Sequence, residues 1–294
     1  MEFFVVDAFT DHIFGGNQAG VVILRDEKGF PEDDIMQKIA AELKHSETAF
    51  VLPQEGNAFS LRYFTPVDEV PLCGHATISA FTVLREHDKI SCGDYIASTI
   101  AGELEIRVEE SKIWLRMPQG KLVKTLTREE SDEIYRAYGL PPQMRTGSLT
   151  PCVAKSGLAD ILVPVEEKEQ LDRAEQNRGE VIRLSKLHGG VGVHLYYFTG
   201  LNDTIAFCRN FAPLFGIDEE SATGTSNAAL TYYLYSQGKI ATERVNTILQ
   251  GETMGRPSMI YSSVDGAGNI WIGGSGVISI QGEIKACNFS KEQA

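Results

Sequence analysis

No apolar run in this chain approaches the roughly 18 residues that a helical membrane span requires, which excludes a helical membrane protein. Positive charge is also short. Twenty-seven Lys and Arg face 40 Asp and Glu, for a formal net charge of −13. That balance argues against nucleic acid or an anionic membrane surface as a partner, while leaving room for a locally electropositive site that takes a small anion. Cysteine is sparse: Cys73, Cys92, Cys152, Cys208 and Cys287 are scattered, odd in number and never spaced C-x-x-C. Such a set provides neither a disulfide framework nor a zinc site, and a reducing cytoplasm is the expected compartment. The opening MEFFVVDAFTDH has an acid at position 2 and a short apolar stretch. It reads as a first β-strand rather than a signal peptide.

What is present is a chain of 294 residues with ordinary globular composition, long enough for two lobes of about 150 residues each. It also resembles itself. Phe64-Thr65-Pro66 is followed by Gly74-His75-Ala76-Thr77-Ile78-Ser79-Ala80-Phe81, and Phe211-Ala212-Pro213 by Gly224-Thr225-Ser226-Asn227-Ala228-Ala229-Leu230. Further on, Ile100-Ala101-Gly102-Glu103 matches Leu249-Gln250-Gly251-Glu252, and Lys112-Ile113-Trp114-Leu115 matches Asn269-Ile270-Trp271-Ile272. Two copies indicate a duplicated domain rather than a solenoid.

In each copy a glycine opens a segment that is small or apolar nearly all round, about 75–87 and 225–237. A helix apolar on every face is buried inside other structure. Around these two helices lie short β-type runs at 3–6, 20–24, 48–52, 59–64, 104–108 and 112–116 in the first half. The second half has them at 159–163, 193–198, 204–208, 245–249, 258–262, 270–272 and 276–280. Residues 33–44 and 128–138 have the pattern of ordinary amphipathic helices. The expectation is an α+β chain of two mostly-β lobes, each around one central helix, joined near Pro118-Gln119-Gly120. Residues 1–117 form the first lobe and 118–294 the second, with the last residues packing back on the first.

Neither central helix starts with a Ser, Thr, Asp or Asn cap in this reading; Gly74 and Gly224 stand there instead. Open first-turn N–H groups carry partial positive charge and attract a carboxylate or a developing anion. Alternatively, each glycine serves only a tight turn. Glu47 lies in Ser46-Glu47-Thr48-Ala49-Phe50, where a helix yields to an apolar strand. Glutamate is depleted in strands, so it is either an outward-facing residue or a carboxylate whose pKa is raised by apolar walls, able to move protons near neutrality. His75 is placed to donate at the helix mouth or to serve as a buried structural histidine. Glu220 precedes the second helix and could merely complement its dipole; Thr225 offers a hydroxyl there. Cys73 could act as a base at a helix start, but its counterpart in the second copy is Thr223, so a two-thiol racemase is not expected.

These segments resemble the phenazine-biosynthesis (PhzF-like) family. The match runs through Val6-Asp7-Ala8-Phe9-Thr10, Phe14-Gly15-Gly16-Asn17, Ser46-Glu47-Thr48 and Leu72-Cys73-Gly74-His75-Ala76-Thr77. It continues through Arg209-Asn210-Phe211-Ala212-Pro213, Ala222-Thr223-Gly224-Thr225, Gln250-Gly251, Met254-Gly255-Arg256-Pro257-Ser258 and Gly273-Gly274-Ser275-Gly276, in order and over nearly the whole chain. The resemblance implies a diaminopimelate-epimerase-like fold: two similar lobes, each a β-barrel or curved sheet around a central helix, with the active site between them. It implies a cytoplasmic homodimer without cofactor or metal, acting as an isomerase on a small anionic metabolite. By the same resemblance Glu47, His75, Glu220 and Thr225 are catalytic, and Gly74, His75, Gly224, Thr225 and Asn17 bind substrate. The chain departs from the family pattern at Asn17-Gln18, at Glu219-Glu220-Ser221 and at Thr225, which reshapes the pocket. Two rivals share the fold: a two-base epimerase using Cys73, and a binding protein without catalysis.

Overall fold

A computed structural model describes residues 1–24, 29–141, 149–200 and 203–285; the last nine residues, Cys287 among them, lie outside them. The described chain divides into two compact units. The first comprises Met1–Phe14, Gln18–Ile113 and the segment from Ser275; the second comprises Gly15–Asn17 and Trp114–Gly274.

The first unit is built from β1 (Glu2–Ala8), β2 (Asn17–Ile23), α1 (Asp33–Leu43), β3 (Glu47–Pro53) and β4 (Ala58–Phe64). It continues with β5 (Glu69–Val70), α2 (Gly74–Glu86), β6 (Gly93–Thr99) and β7 (Gly102–Val108). The second unit contains β8 (Ile113–Arg116), β9 (Lys121–Thr125), α3 (Arg128–Ala137), β10 (Cys152–Ser156) and β11 (Leu158–Val165). Then follow α4 (Lys168–Arg173), α5 (Arg178–His188), β12 (Val193–Phe198), β13 (Thr204–Ala212) and β14 (Ile217–Glu220). It ends with α6 (Gly224–Ser236), β15 (Asn246–Gln250), β16 (Ser258–Val264) and β17 (Ile270–Gly274). Strand β18 (Gly276–Glu283) returns to the first unit, antiparallel to β1.

The two units repeat one topology. In the first, the sheet runs β18–β1–β2–β3–β4–β6–β7. In the second, it runs β9–β10–β11–β12–β13–β15–β16–β17. Parallel pairs fall at matching places: β2 with β3 and β4 with β6, then β11 with β12 and β13 with β15. A parallel pair needs a crossover. Helix α1 supplies the first and α2 the second; α4 with α5, and then α6, do so in the other unit.

Both central helices are wrapped by their own sheets. Helix α2 packs on β1, β3 and β18, and α6 on β10, β11, β16 and β17. Every residue from His75 to Leu84 is buried, as are Ser226 to Thr231, Tyr233 and Leu234, which is the all-round burial their composition implies. Phe81 fills the space under β4 and β6, edge-on to Phe59 at 5.4 Å and to Tyr95 at 5.9 Å. A separate core holds α1 on β2 and β3 through Met36, Ile39, Ala40, Val22 and Phe50. In the second unit α3, α4 and α5 pack on β11, β12 and β13 through Tyr135, Leu171, Val181, Leu184, Val163 and Leu195.

Each strand expected from sequence is present. Strands β5, β6, β9, β10 and β14 and helices α4 and α5 are additional. No helix among the described residues is long and apolar enough to cross a membrane.

Candidate active site

Glu47 is the first residue of β3, and its side chain is 16% exposed. The β3 ladder carries it there because Thr48 pairs with Phe64 and Ala49 with Tyr63, so the strand meets β4 close to the loop that leads into α2. His75, the second residue of that helix, brings Nε2 to 3.2 Å from Glu47 Oε2. Ser46 Oγ lies 3.2 Å from the same nitrogen. Cys73 Sγ is 3.4 Å from His75 Nδ1. A carboxylate, an imidazole and a thiol thus converge, with donor atoms all within 4.8 Å of one another.

Electrostatics in this cluster correct one expectation. Burial alone would raise the Glu47 pKa, but hydrogen bonding and charge from His75, with help from Ser46 and Cys73, outweigh it and hold the carboxyl below its ordinary 4.5. His75 moves the other way. Burial opposes its cation, yet the Cys73 sulfur and the Glu47 carboxylate together raise it well above 6.5. Cys73 acts as a charge only once ionised, and burial together with the Glu47 charge pushes that thiol up. Near neutrality the anion that keeps His75 protonated is therefore Glu47. Its Oε2 is buried and held by the ion pair with His75 Nε2 at 3.2 Å.

The helix starts differ in detail from the sequence reading. The cap positions are Cys73 and Thr223, one residue before each glycine, and neither side chain caps its helix. Threonine is a good cap, but the Thr223 hydroxyl donates instead to Glu220 Oε2 at 2.5 Å. The first-turn N–H groups around Gly74 and His75, and those around Gly224 and Thr225, therefore have no side-chain cap.

In the second unit, Asn17 Nδ2 donates to Glu220 Oε1 at 2.9 Å and to the Ala222 carbonyl at 2.9 Å. With Thr223 on its other oxygen, Glu220 is held in a fixed frame. Gln250 locks that frame: its Nε2 donates to the Glu220 carbonyl at 2.7 Å, and its Oε1 accepts from Asn227 Nδ2 at 2.8 Å. Thr225 is half-buried in the first turn of α6. The structure thus brings Glu47, His75 and Gly74 together in one unit, and Asn17, Glu220, Gly224 and Thr225 in the other. Sequence reasoning passed over Ser46 and Gln250 as site residues. Ser46 carried no signal beyond adjacency to Glu47, whereas a polar residue closing the alternating run Asn246–Gln250 could have singled out Gln250.

Comparison with known proteins fits this architecture. A solved structure of a probable proline racemase from Agrobacterium radiobacter has a TM-score of 0.62 at 13% identity, covering 99% of this chain and 94% of that one. This defines the fold: the duplicated, helix-centred type found in that racemase. A PhzF-family phenazine biosynthesis protein from Bacillus anthracis is nearer, with a TM-score of 0.84 and 25% identity over 97% of this chain and 99% of the other. An "uncharacterized isomerase" of Deinococcus radiodurans is 30% identical over 290 residues, 94% of this chain and 92% of its own length. The family model described as "Phenazine biosynthesis-like protein" matches residues 6–282. The chain belongs to that family, and it is an isomerase.

Proposed function

We propose that this isomerase moves a proton between carbon atoms of a small carboxylate-bearing metabolite, cyclic or amino-acid-like, with Glu47 as the acid/base group. One observation carries the reading: the Glu47 carboxylate, only 16% exposed, lies 3.2 Å from His75 Nε2 at the uncapped start of a central helix. Glu47 takes a proton from carbon and becomes a carboxylic acid. The electron pair left behind spreads into the adjacent unsaturated system as an enolate-like anion. The same proton, or one exchanged with water, is returned at a second carbon, so no atom is gained or lost. The α2 N–H groups at Gly74 and His75, together with the imidazolium, favour both the substrate carboxylate and the anion. Glycine at position 74 lets a ligand approach that backbone closely. Gly224 and the Thr225 hydroxyl form a second helix start of the same anion-binding kind.

The direct test is proton exchange. In D₂O, with a panel of small cyclic and acyclic amino and carboxylic acids, NMR is expected to show deuterium entering one compound at a carbon-bound position. Demonstrable binders that exchange nothing would turn the assignment toward a binding protein. A second reading rests on Cys73, which shares the cluster at 3.4 Å from His75 Nδ1. Deuterium returned with inversion to the carbon that lost its proton would favour Cys73 as a second base; deuterium at a different carbon favours Glu47 alone.

The pH dependence has a definite sign. Glu47 works ionised, so kcat/KM is expected to fall on the acid side only below 4.5, because the folded-state value is depressed. His75 works protonated, so the alkaline fall is expected above 6.5, because its folded-state value is raised. Between those values the profile is flat. An acid limb centred above 6.5 would assign the base to another group.

A further inference from the structure

We infer that Gln250 is a positioning residue for anion recognition: it holds the Thr223 hydroxyl off the start of α6, so that the first-turn N–H groups stay open to the substrate's carboxylate. The inference rests on the role proposed above for that helix start and adds the device that keeps it open.

Thr223 meets both requirements for capping its own helix. Threonine is a favoured residue at this position, and the Thr223 backbone is extended (φ −127°, ψ 102°), as that of an N-cap residue is. A cap would run from the N–H of Thr225 or Ser226 to Thr223 Oγ1. Neither bond is made. Glu220 diverts the hydroxyl proton, which goes to its Oε2 at 2.5 Å. The oxygen itself, the atom that would cap, accepts from Gln250 Nε2 at 3.2 Å. Gly224 and Thr225, whose N–H groups are thereby left open, remain partly exposed.

Gln250 fits only one way round. Its Oε1 faces two donors, Asn227 Nδ2 at 2.8 Å and Thr223 N at 3.4 Å. Its Nε2 faces two acceptors, the Glu220 carbonyl at 2.7 Å and Thr223 Oγ1. A flipped amide would set N–H against N–H and oxygen against oxygen, so the donor stays on the hydroxyl. The side chain is fully buried, and the backbone puts it there. Strand β15 ends at Gln250, in register with Cys208 on one side and Ser258 on the other. Gly251 then passes so close to Ser221 that a Cβ would lie 2.6 Å from that carbonyl oxygen. This close approach brings Gln250 within reach of the loop between β14 and α6. Asn227, one turn into α6, completes the clamp by donating from Nδ2 to the Thr223 carbonyl at 2.9 Å. The other central helix needs no clamp. Its cap residue is Cys73, and sulfur is a weak acceptor that here turns to His75 Nδ1 at 3.4 Å.

Acetate serves as the carboxylate probe, followed by NMR at the Gly224 and Thr225 amides of the isotope-labelled protein. In the wild type it is expected to shift both resonances saturably. Gln250→Met keeps the length of the side chain and removes its donor, which frees the Thr223 oxygen to cap α6. Acetate affinity at Gly224 should then fall roughly 10-fold, the lower end for losing one hydrogen bond to a charged group. The Thr225 or Ser226 amide, newly bonded, should exchange with D₂O more slowly than in the wild type. Gln250→Met combined with Thr223→Val has no hydroxyl left to cap with, and acetate affinity should recover. That recovery separates the clamp from simple damage, which a second substitution would deepen. Should Gln250→Met fail to fold, Gln250→Glu replaces it, since its carboxylate still accepts from Asn227 and Thr223 N but cannot donate to the hydroxyl. Amide exchange then decides, and unchanged rates at both Thr225 and Ser226 overturn the inference. Equal acetate affinity in the wild type and Gln250→Met, or no recovery in the double variant, overturns the role of Gln250 while leaving the anion site intact. Acetate that moves neither amide in the wild type rejects the anion reading of α6 itself, and this inference with it.

Discussion

Replacement of Glu47 by glutamine is expected to lower kcat roughly 10²–10⁴-fold, the usual span of a general acid/base contribution, with KM little changed. Glutamine keeps the shape and removes only the exchangeable charge. The cost to the fold is limited because the buried His75 imidazole can give up its proton once the carboxylate beside it is gone. Substrate affinity should survive because the α2 amides around Gly74 and His75, which the substitution leaves in place, are the proposed carboxylate contacts. A second signature separates catalysis from simple damage. The Glu47 carboxylate helps raise His75, so in the variant the His75 imidazole should titrate at lower pH, measurable by NMR. A variant that keeps more than about a tenth of wild-type kcat would remove Glu47 from proton transfer.

A large loss of stability is expected at Gly251. Its φ is +81°, and a Cβ there would lie 2.5 Å from the Arg256 carbonyl oxygen and 2.6 Å from that of Ser221. Both obstacles are backbone, so neither can swing aside. Gly251→Ala combines a left-handed conformation, about 1–2 kcal/mol, with overpacking of about 1–3 kcal/mol, for a total of roughly 2–5 kcal/mol. Gly255 is the control, with φ +67° and nothing within 4 Å of a built Cβ; its alanine variant should show the conformational cost alone, about 1–2 kcal/mol. Urea unfolding of both variants, compared through midpoint and slope, measures the difference. Equal losses would show that the Ser221 and Arg256 backbones yield. They have reason not to: Ser221 Oγ donates to the Gly16 carbonyl at 2.9 Å, and Arg256 reaches the Gly15 and Gly16 carbonyls at 2.6 and 2.9 Å.

What could be read from sequence was what burial writes into composition. Helices α2 and α6 were legible because each is apolar on every face, and their matched glycines exposed the duplication. Helix α5 was missed although its signals are present: Asn177 caps it through Glu180 N, and Gly189 at φ 70° ends it. Arg178, Glu180, Arg183 and Lys186 crowd the segment and hide a narrow apolar stripe of Val181 and Leu184. Strand β9 could not be seen locally. Lys121–Thr125 is largely exposed, and its pairing with β10 makes it a strand, as tertiary context often does. At the site, glutamate at the mouth of an apolar strand marked Glu47, but the direction of its pKa was beyond reach. That direction depends on His75 and Cys73, which only the β3–α2 packing brings near. Thr223 shows the same limit, because its residue type suggests a cap and only the position of Glu220 diverts its hydroxyl.

The antiparallel pairing of β1 with β18, Glu2 opposite Glu283 and Ala8 opposite Gly276, has a consequence for biosynthesis. A ribosome delivers β1 long before β18, so until β18 is made the nascent chain carries one flank of β1 without a ladder, an edge open to wrong pairing. The first unit is thus completed only when β18 has been made, and that strand closes its sheet like a clasp.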